Sequence, residues 1–433
     1  MLLNLTILFA LLPSLIRAAA PAPAAQAVFP DRDRVRHTYK EYLSGSSEPR
    51  HPSPGYKAKA AQKADKEASA LRAPKYGYED AENAAFYAMR AEAGARDPNE
   101  KAPFPPYNTW EAYWGLKTFG HTKPVRCMTA DNTTLYDIAI LGAPFDTATS
   151  WRPGARFGPG GIRGGAQRLG GANRLLGNDA FQELEIVDCG DSRMTFYSND
   201  LALATLEDDY RSLINRPVST SFKNGEESLA LDGQHHPRVM MLGGDHTIVL
   251  PALRALNEVY GPVSVIHFDS HCDSRHPDKG TLTHGDYFYF AWKEGLMSET
   301  NIHAGIRSNC DIPSDLETNF ATVLADEIED IGWKGVIKRI KDRVGDSPVY
   351  LTIDIDTLDP AFAPATGTPE IGGWTSREMI KILHGLKDLK IVGADVVEVA
   401  PAYDTTAEIT QIAAAGLVFE LLSMMALTPV VKT

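Results

Sequence analysis

Three short segments concentrate side chains that bind metal ions. Asp269-Ser270-His271-Cys272-Asp273 alternates carboxylate and imidazole, Asp354-Ile355-Asp356 repeats the alternation with two carboxylates, and His246 follows Gly243-Gly244-Asp245. In extended chain, residues two apart point to one face. Asp269, His271 and Asp273 can therefore converge if their segment stays near-extended, and Asp354 and Asp356 can do the same. With His246 the set holds two imidazoles and four carboxylates. A single ion cannot easily use so many ligands, whereas two divalent cations about 3.5–4 Å apart can, with shared carboxylates offsetting their charge. The set is rich in oxygen and has no committed thiolate, which suits Mn²⁺, with Fe, Co or Ni as relatives, better than structural Zn²⁺. Mg²⁺ would keep more water and fewer imidazoles. Paired cations of this kind acidify a shared water near neutral pH, so the chemistry expected is metal-dependent hydrolysis.

Those segments need a scaffold that delivers them to one place. Asp137 to Leu141, Arg238 to Leu242, Val263 to Phe268, Val349 to Ile355 and Ile391 to Val399 are short runs rich in Val, Ile and Leu. Near-continuous apolar strands suit a parallel sheet covered on both faces. Helix-like connectors alternate with them at Pro251 to Tyr260, Trp333 to Val344 and Thr375 to Leu386. The repeated βα order predicts an α/β fold, a three-layer α/β/α sandwich with a central mostly parallel sheet. In such sheets ligands bind beyond the carboxyl ends of the strands. Each ligand-bearing segment here follows one of the apolar runs, and the Ile391 run carries Glu398 just before Pro401. His235-His236 read as loop residues ahead of a strand, and His303 as a buried strand residue. The weakly patterned stretch from Ser219 to Gln234 reads as a surface insertion.

Composition narrows the partners. The 433 residues are 43% hydrophobic and 23% charged, enough for a sizeable soluble core. A formal net charge of −13 argues against nucleic acid and is compatible with a cationic small substrate. Leu2 to Ile16 is an apolar run too short to span a membrane, followed by small residues, and it reads as a secretory signal within 1–20. A mitochondrial or other organellar transit peptide is the alternative, although such peptides are usually richer in Arg and Ser. Residues 21–75, rich in Ala, Pro, Lys, Arg and Ser, read as a flexible extension, and 76–433 as the catalytic domain. Its first part carries Tyr107, Trp110, Tyr113 and Trp114, expected to cover the domain edge. The sequon Asn132-Thr133-Thr134 fits secretion. Cys127, Cys189, Cys272 and Cys310 form no CxxC pair, so a structural zinc site is not expected, and one bridge is possible if the protein is secreted.

The three ligand segments, taken with Leu358-Asp359-Pro360, resemble the ureohydrolase family of arginases and agmatinases over about Tyr136 to Leu427. Gly142-Ala143-Pro144-Phe145-Asp146, the stretch Arg152 to Pro159, Pro360 to Pro364 and Gly367-Thr368-Pro369-Glu370 look agmatinase-like rather than arginase-like. The resemblance implies two Mn²⁺ per subunit. His246 and Asp273 would bind one, His271 and Asp356 the other, and Asp269 and Asp354 would bridge. It implies that His284 shuttles a proton to the leaving amine and that Glu398 holds the guanidinium, a strong charge-assisted contact. Urea and an amine would result, putrescine if the substrate is agmatine. It also implies a homo-oligomer, a trimer or hexamer.

The loop Ser274 to Thr283 departs from this resemblance. Arginases carry an asparagine where this chain has Arg275, which makes arginine a poor expectation. Arg275 or Lys279 would also repel the distal cation of agmatine, so a guanidino acid such as 4-guanidinobutyrate is the alternative substrate. Arg275 turned outward, or paired with Asp278, would remove that objection. Deacetylases of related architecture use one zinc and lack the full ligand set, and formimino-amide hydrolysis is a further relative. A non-enzymatic binding protein would be expected to have lost a ligand, and none is lost.

Overall fold

Ile138–Gly142, Arg238–Leu242, Ser264–Phe268, Val349–Asp354 and Ile391–Val397 are strands in which every residue is buried. That is the consequence of apolar runs with no polar face to give to water. The computed structural model describes residues 116–129, 133–220, 226–277, 281–310 and 312–432. The expected signal, the 21–75 extension, the Tyr107 to Trp114 aromatics, Asn132, Asp278 and Lys279 lie outside the described residues.

In chain order the strands are β1 (Lys123–Pro124), β2 (Ile138–Gly142), β3 (Ile186–Asp191), β4 (Arg238–Leu242), β5 (Ser264–Phe268), β6 (Asn301–Ile306), β7 (Phe320–Leu324), β8 (Val349–Asp354) and β9 (Ile391–Val397). They form one sheet in the order β1-β3-β2-β4-β9-β8-β5-β6-β7, and every pairing is parallel. Alternate residues feed two separate cores. Ile138, Ile140, Met240, Leu242, Ile266, Leu351 and Ile353 face one layer. Ala139, Leu141, Val239, Met241, Val265 and Tyr350 face the other.

Helices cover both faces. On one side lie α1 (Asn199–Ile214), α2 (Val249–Tyr260) and α3 (Tyr287–Lys293). On the other lie α4 (Glu327–Val344), α5 (Ser376–Gly385) and α6 (Ile409–Leu427). The connector expected from Trp333 begins where it does because Gly332, at φ 64°, breaks α4 into a first turn and the main helix. Thr375 and Glu378 close a capping box at the start of α5, each side chain accepting the other's backbone N–H. Among the described residues α6 is the one helix long and apolar enough to cross a membrane, and it lies largely buried against the sheet.

Two strands end earlier than their apolar runs suggest. β8 stops at Asp354, where Ile355–Thr357 turns as a 3-10 helix, and β9 stops at Val397, because Glu398 adopts a left-handed φ of 61°. Both departures re-aim a carboxylate at the sheet's carboxyl edge. There the chain after β4 passes between its neighbours with no spare room. Gly244 N donates to Ala143 O at 2.9 Å, and Gly244 O accepts from Glu398 N at 2.8 Å. A Cβ at 244 would overlap the carbonyl oxygens of Phe145 and Ala143, neither of which can rotate away. Gly244→Ala is expected to destabilise the fold by about 1–3 kcal/mol, the usual penalty of overpacking. Urea unfolding would register it, and a midpoint equal to that of the wild type would contradict this account.

Candidate metal centre

β4, β9, β8 and β5 are neighbours at the middle of the sheet, and the segments leaving them meet. His246 opens a 3-10 turn after β4, with Asp245 as its cap accepting from Thr247 N at 3.0 Å. His246 Nδ1 lies 3.0 Å from Asp269 Oδ2, 3.2 Å from Asp273 Oδ2 and 3.5 Å from Asp354 Oδ2. His271 Nδ1 lies 3.1 Å from Asp356 Oδ2 and 3.3 Å from Asp269 Oδ1. The structure therefore brings all six ligand-type residues together as two adjoining groups, with the two oxygens of Asp269 divided between them.

The route to convergence differs from simple alternation. An extended Asp354-Ile355-Asp356 would carry the second carboxylate about 7 Å along the chain. Instead the turn folds back, and Asp354 Oδ1 accepts Asp356 N at 2.8 Å. Asp269 likewise accepts His271 N at 2.6 Å, and Asp273 sits at a left-handed φ of 52°. Short carboxylates that bind their own backbone two residues on make such turns favourable.

Charge and hydrogen bonding fit a pair of divalent cations. His246 Nδ1, Asp269 Oδ2 and Asp356 Oδ2 are buried and without a hydrogen-bond partner. Burial pushes the Asp354 carboxyl well above the usual carboxylate range, and Asp356 and Asp269 push it further. Burial and the Asp269 charge raise Asp356 as well. The ion pairs of these carboxylates involve histidines and, among the described residues, no lysine or arginine. Buried carboxylates left in this state are costly unless a cation joins them. The His246 tautomer also fits. Thr352 Oγ1 donates to Asp395 Oδ1 at 2.5 Å, so it accepts from His246 Nε2 at 2.8 Å, leaving the Nδ1 lone pair to face the carboxylates.

His284 and Glu398 stand beside this cluster. Glu398 is fully buried; its Oε1 accepts from His246 N at 2.8 Å and from His284 Nδ1 at 2.9 Å, while Oε2 has no partner. Two demands compete at the His284 ring. Ser150 N points at Nε2 at 3.0 Å, which needs a lone pair there. Burial also disfavours charge, yet Glu398, Asp273 and Asp245 together raise the histidine to about 9. The carboxylates prevail; cations at the cluster would offset them and favour the neutral ring that Ser150 accommodates.

A cleft of about 160 Å³ opens over the centre, lined by His271, Asp273, His284 and Asp354 below and by Arg275, Ser308, Asn309 and Thr368 nearer its mouth. Arg275 is exposed and stacked over Gly285, with Nε 3.5 Å from Gly285 O. It is the one lysine or arginine among the described lining residues and makes no ion pair with them.

Several supports were not singled out from the sequence. Thr352 and Asp395 orient His246, and the i, i+2 alternation along β8 is the signal that could have found Thr352. Arg307 donates to the backbone oxygens of Asp356 and Glu370 at 2.5 and 2.9 Å, clamping the turn after β8. His303 is a buried strand residue as expected, but it faces His267, with the Nδ1 atoms 2.8 Å apart. His235-His236 precede β4 as a loop. The cysteines form two bridges rather than one, Cys127–Cys189 and Cys272–Cys310.

Comparison with known proteins gives a consistent picture. Residues 136–424 match the model of the arginase family. A Schizosaccharomyces pombe protein, provisionally named agmatinase 1, is 52% identical over 336 residues, covering 73% of this chain and 84% of that protein. An Escherichia coli agmatinase is 43% identical over 293 residues, covering 67% and 88%. A crystal structure of a hypothetical agmatinase from Burkholderia thailandensis superposes with a TM-score of 0.63 at 35% identity, covering 72% of this chain and 91% of that one.

Two outcomes are expected here. Thr352→Val should weaken metal binding about 10–100-fold, as loss of an outer hydrogen bond to a ligating histidine does; an unchanged manganese titration would refute it. Because folding raises His284 from 6.5 to about 9, its contribution to stability is complete below pH 6.5 and disappears as pH rises through about 9. In chelator-treated protein, the Tm difference between wild type and His284→Asn should shrink over that window, and a difference that widens would be decisive against the assignment.

Proposed function

The chain belongs to the arginase family, and from that premise we propose that it hydrolyses the guanidino group of agmatine to urea and putrescine. The observation that carries this reading is the convergence of four carboxylates and two imidazoles with unpartnered ligand atoms, beside a buried Glu398 whose Oε2 is also unpartnered. His246 and Asp273 would hold one cation and His271 and Asp356 the second, with Asp269 and Asp354 shared between them. The oxygen-rich donor set supports Mn²⁺. When bound, such a pair supplies Lewis acidity and an acidified water.

The chain's own residues do the rest. Glu398 Oε2 offers a charge-assisted acceptor for a planar guanidinium, and Gly367, where a Cβ would press on the Arg152 carbonyl oxygen, lies beside it. His284 stands between Glu398 and the cleft, its Nε2 2.8 Å from Ser150 Oγ. A neutral ring held there by Nδ1–H to Glu398 can take a proton at Nε2 and return it to the departing amine.

A second reading rests on Arg275. Its guanidinium at the cleft, which makes no ion pair with the described lining residues, would meet the far end of an extended substrate, favouring a carboxylate over an ammonium there. That supports a guanidino acid, such as 4-guanidinobutyrate, as the rival substrate. The two disulfides support an oxidising compartment and so the secretory expectation.

Urea release after Mn²⁺ loading decides between them. Agmatine should exceed 4-guanidinobutyrate in kcat/KM; the reverse order selects the second reading, and no urea from any guanidino compound would overturn both. Under the second reading, Arg275→Ala should shift the ratio toward agmatine by about fivefold, the scale of an exposed charge contact. His284→Asn should lower kcat by about 10²–10⁴-fold with bound manganese unchanged. Activity near wild type in that variant would remove His284 from its role.

A further inference from the structure

We propose that reduction of the Cys272–Cys310 disulfide creates a third, thiophilic metal site, holding a divalent cation of the zinc type on Cys272, Cys310, His303 and Asp315. Cys272 Sγ, an imidazole nitrogen of His303 and a carboxylate oxygen of Asp315 already lie within 4.8 Å of one another. The disulfide places the Cys310 sulfur beside the first of these, although 38 residues separate the two cysteines. Sequence spacing does not reveal this set, because the fold, not a CxxC pair, assembles it. Two thiolates, one imidazole and one carboxylate make a tetrahedral donor set of the kind zinc prefers, with ligand bonds of about 2.0–2.3 Å.

The surroundings already have the form that metal ligands require. A ligating histidine normally has its second nitrogen engaged. His303 Nε2 faces Asp315 Oδ1 at 3.3 Å, while its Nδ1 is held 2.8 Å from His267 Nδ1. Asp315 Oδ1 is in turn held by Ser274 Oγ at 2.5 Å. The His303 ring stacks on Phe320 with centroids 3.7 Å apart, giving an apolar wall. His303 is fully buried, yet Cys272 and Cys310 both line the substrate cleft, so a reductant and a cation share one approach.

The chemistry balances. Two equivalents of a thiol deliver two electrons and two protons, breaking the S–S bond to give two cysteine thiols and one thiol-derived disulfide. A divalent cation then displaces both thiol protons. The reduced, metal-bound state would tie Cys272 to β6 and to the helix Ile312–Glu317. Cys272 stands between His271 and Asp273, so occupancy there bears directly on the binuclear centre.

Cobalt(II) is the probe, because sulfur-to-cobalt charge transfer absorbs in the near ultraviolet, whereas the oxygen and nitrogen donors of the binuclear centre give no such band. Full-length protein, loaded with Mn²⁺, is titrated anaerobically before and after reduction. The expected result is a thiolate band that saturates at about one cobalt per chain in the reduced protein and is absent from the oxidised protein, which serves as a control with no substitution. Cys272→Ser should abolish the band, and His303→Gln should weaken cobalt binding by about tenfold or more, as loss or misorientation of a ligand does. No band after reduction, a band that survives Cys272→Ser, or a cobalt affinity untouched by His303→Gln would each overturn the proposal.

Discussion

Everything at the carboxyl edge of the sheet answers to one constraint: three buried carboxylates, Asp269, Asp354 and Asp356, share a space with the half-buried Asp273, and among the described residues their ion-pair partners are histidines. Their mutual repulsion in a medium from which water is largely excluded would push the segments apart. Holding them together requires donors that add no further bulk. Backbone N–H groups fill that role, as at Ser270 toward Asp356 Oδ1 at 3.0 Å and Asp356 toward Asp354 Oδ1 at 2.8 Å.

The supporting architecture follows from the same constraint. Arg307 brings a cation to the site but directs it at backbone carbonyls, so the carboxylate oxygens stay available. The Thr352–Asp395 pair settles which nitrogen of His246 carries hydrogen without placing a charge among the ligands. Glu398 serves two neighbours through one oxygen and leaves the other free. The left-handed φ at Asp273 and Glu398 marks where local backbone preference gives way to the needs of the site.

Much of this was legible in the sequence. Apolar runs located the central strands because burial on both faces leaves no room for a polar period, and the histidine and aspartate segments stood where those runs ended. The trajectories after β5 and β8 were not legible. An alternating pattern cannot distinguish extended chain from a turn closed by an aspartate capping its own backbone. Thr352, Asp395 and Arg307 also escaped, since a support acts through neighbours distant in sequence. The pairing of Cys272 with Cys310 depends on β5 and β6 lying side by side, a relation that spacing does not encode.

The order β4-β9-β8-β5 has a consequence for how the molecule is made. The chain leaves β4 and lays down β5 three places away, and β8 and β9, which follow much later, occupy the gap. On a ribosome, a nascent chain that has emerged only as far as β7 already displays His246, Asp269, His271 and Asp273 but lacks the strands that separate and support them. Those early ligands therefore wait for strands that begin only at Val349. Assembly of the centre is a late, long-range event, with the slow search that distant parallel pairings impose. Cellular metal availability then matters at the close of folding rather than at its start.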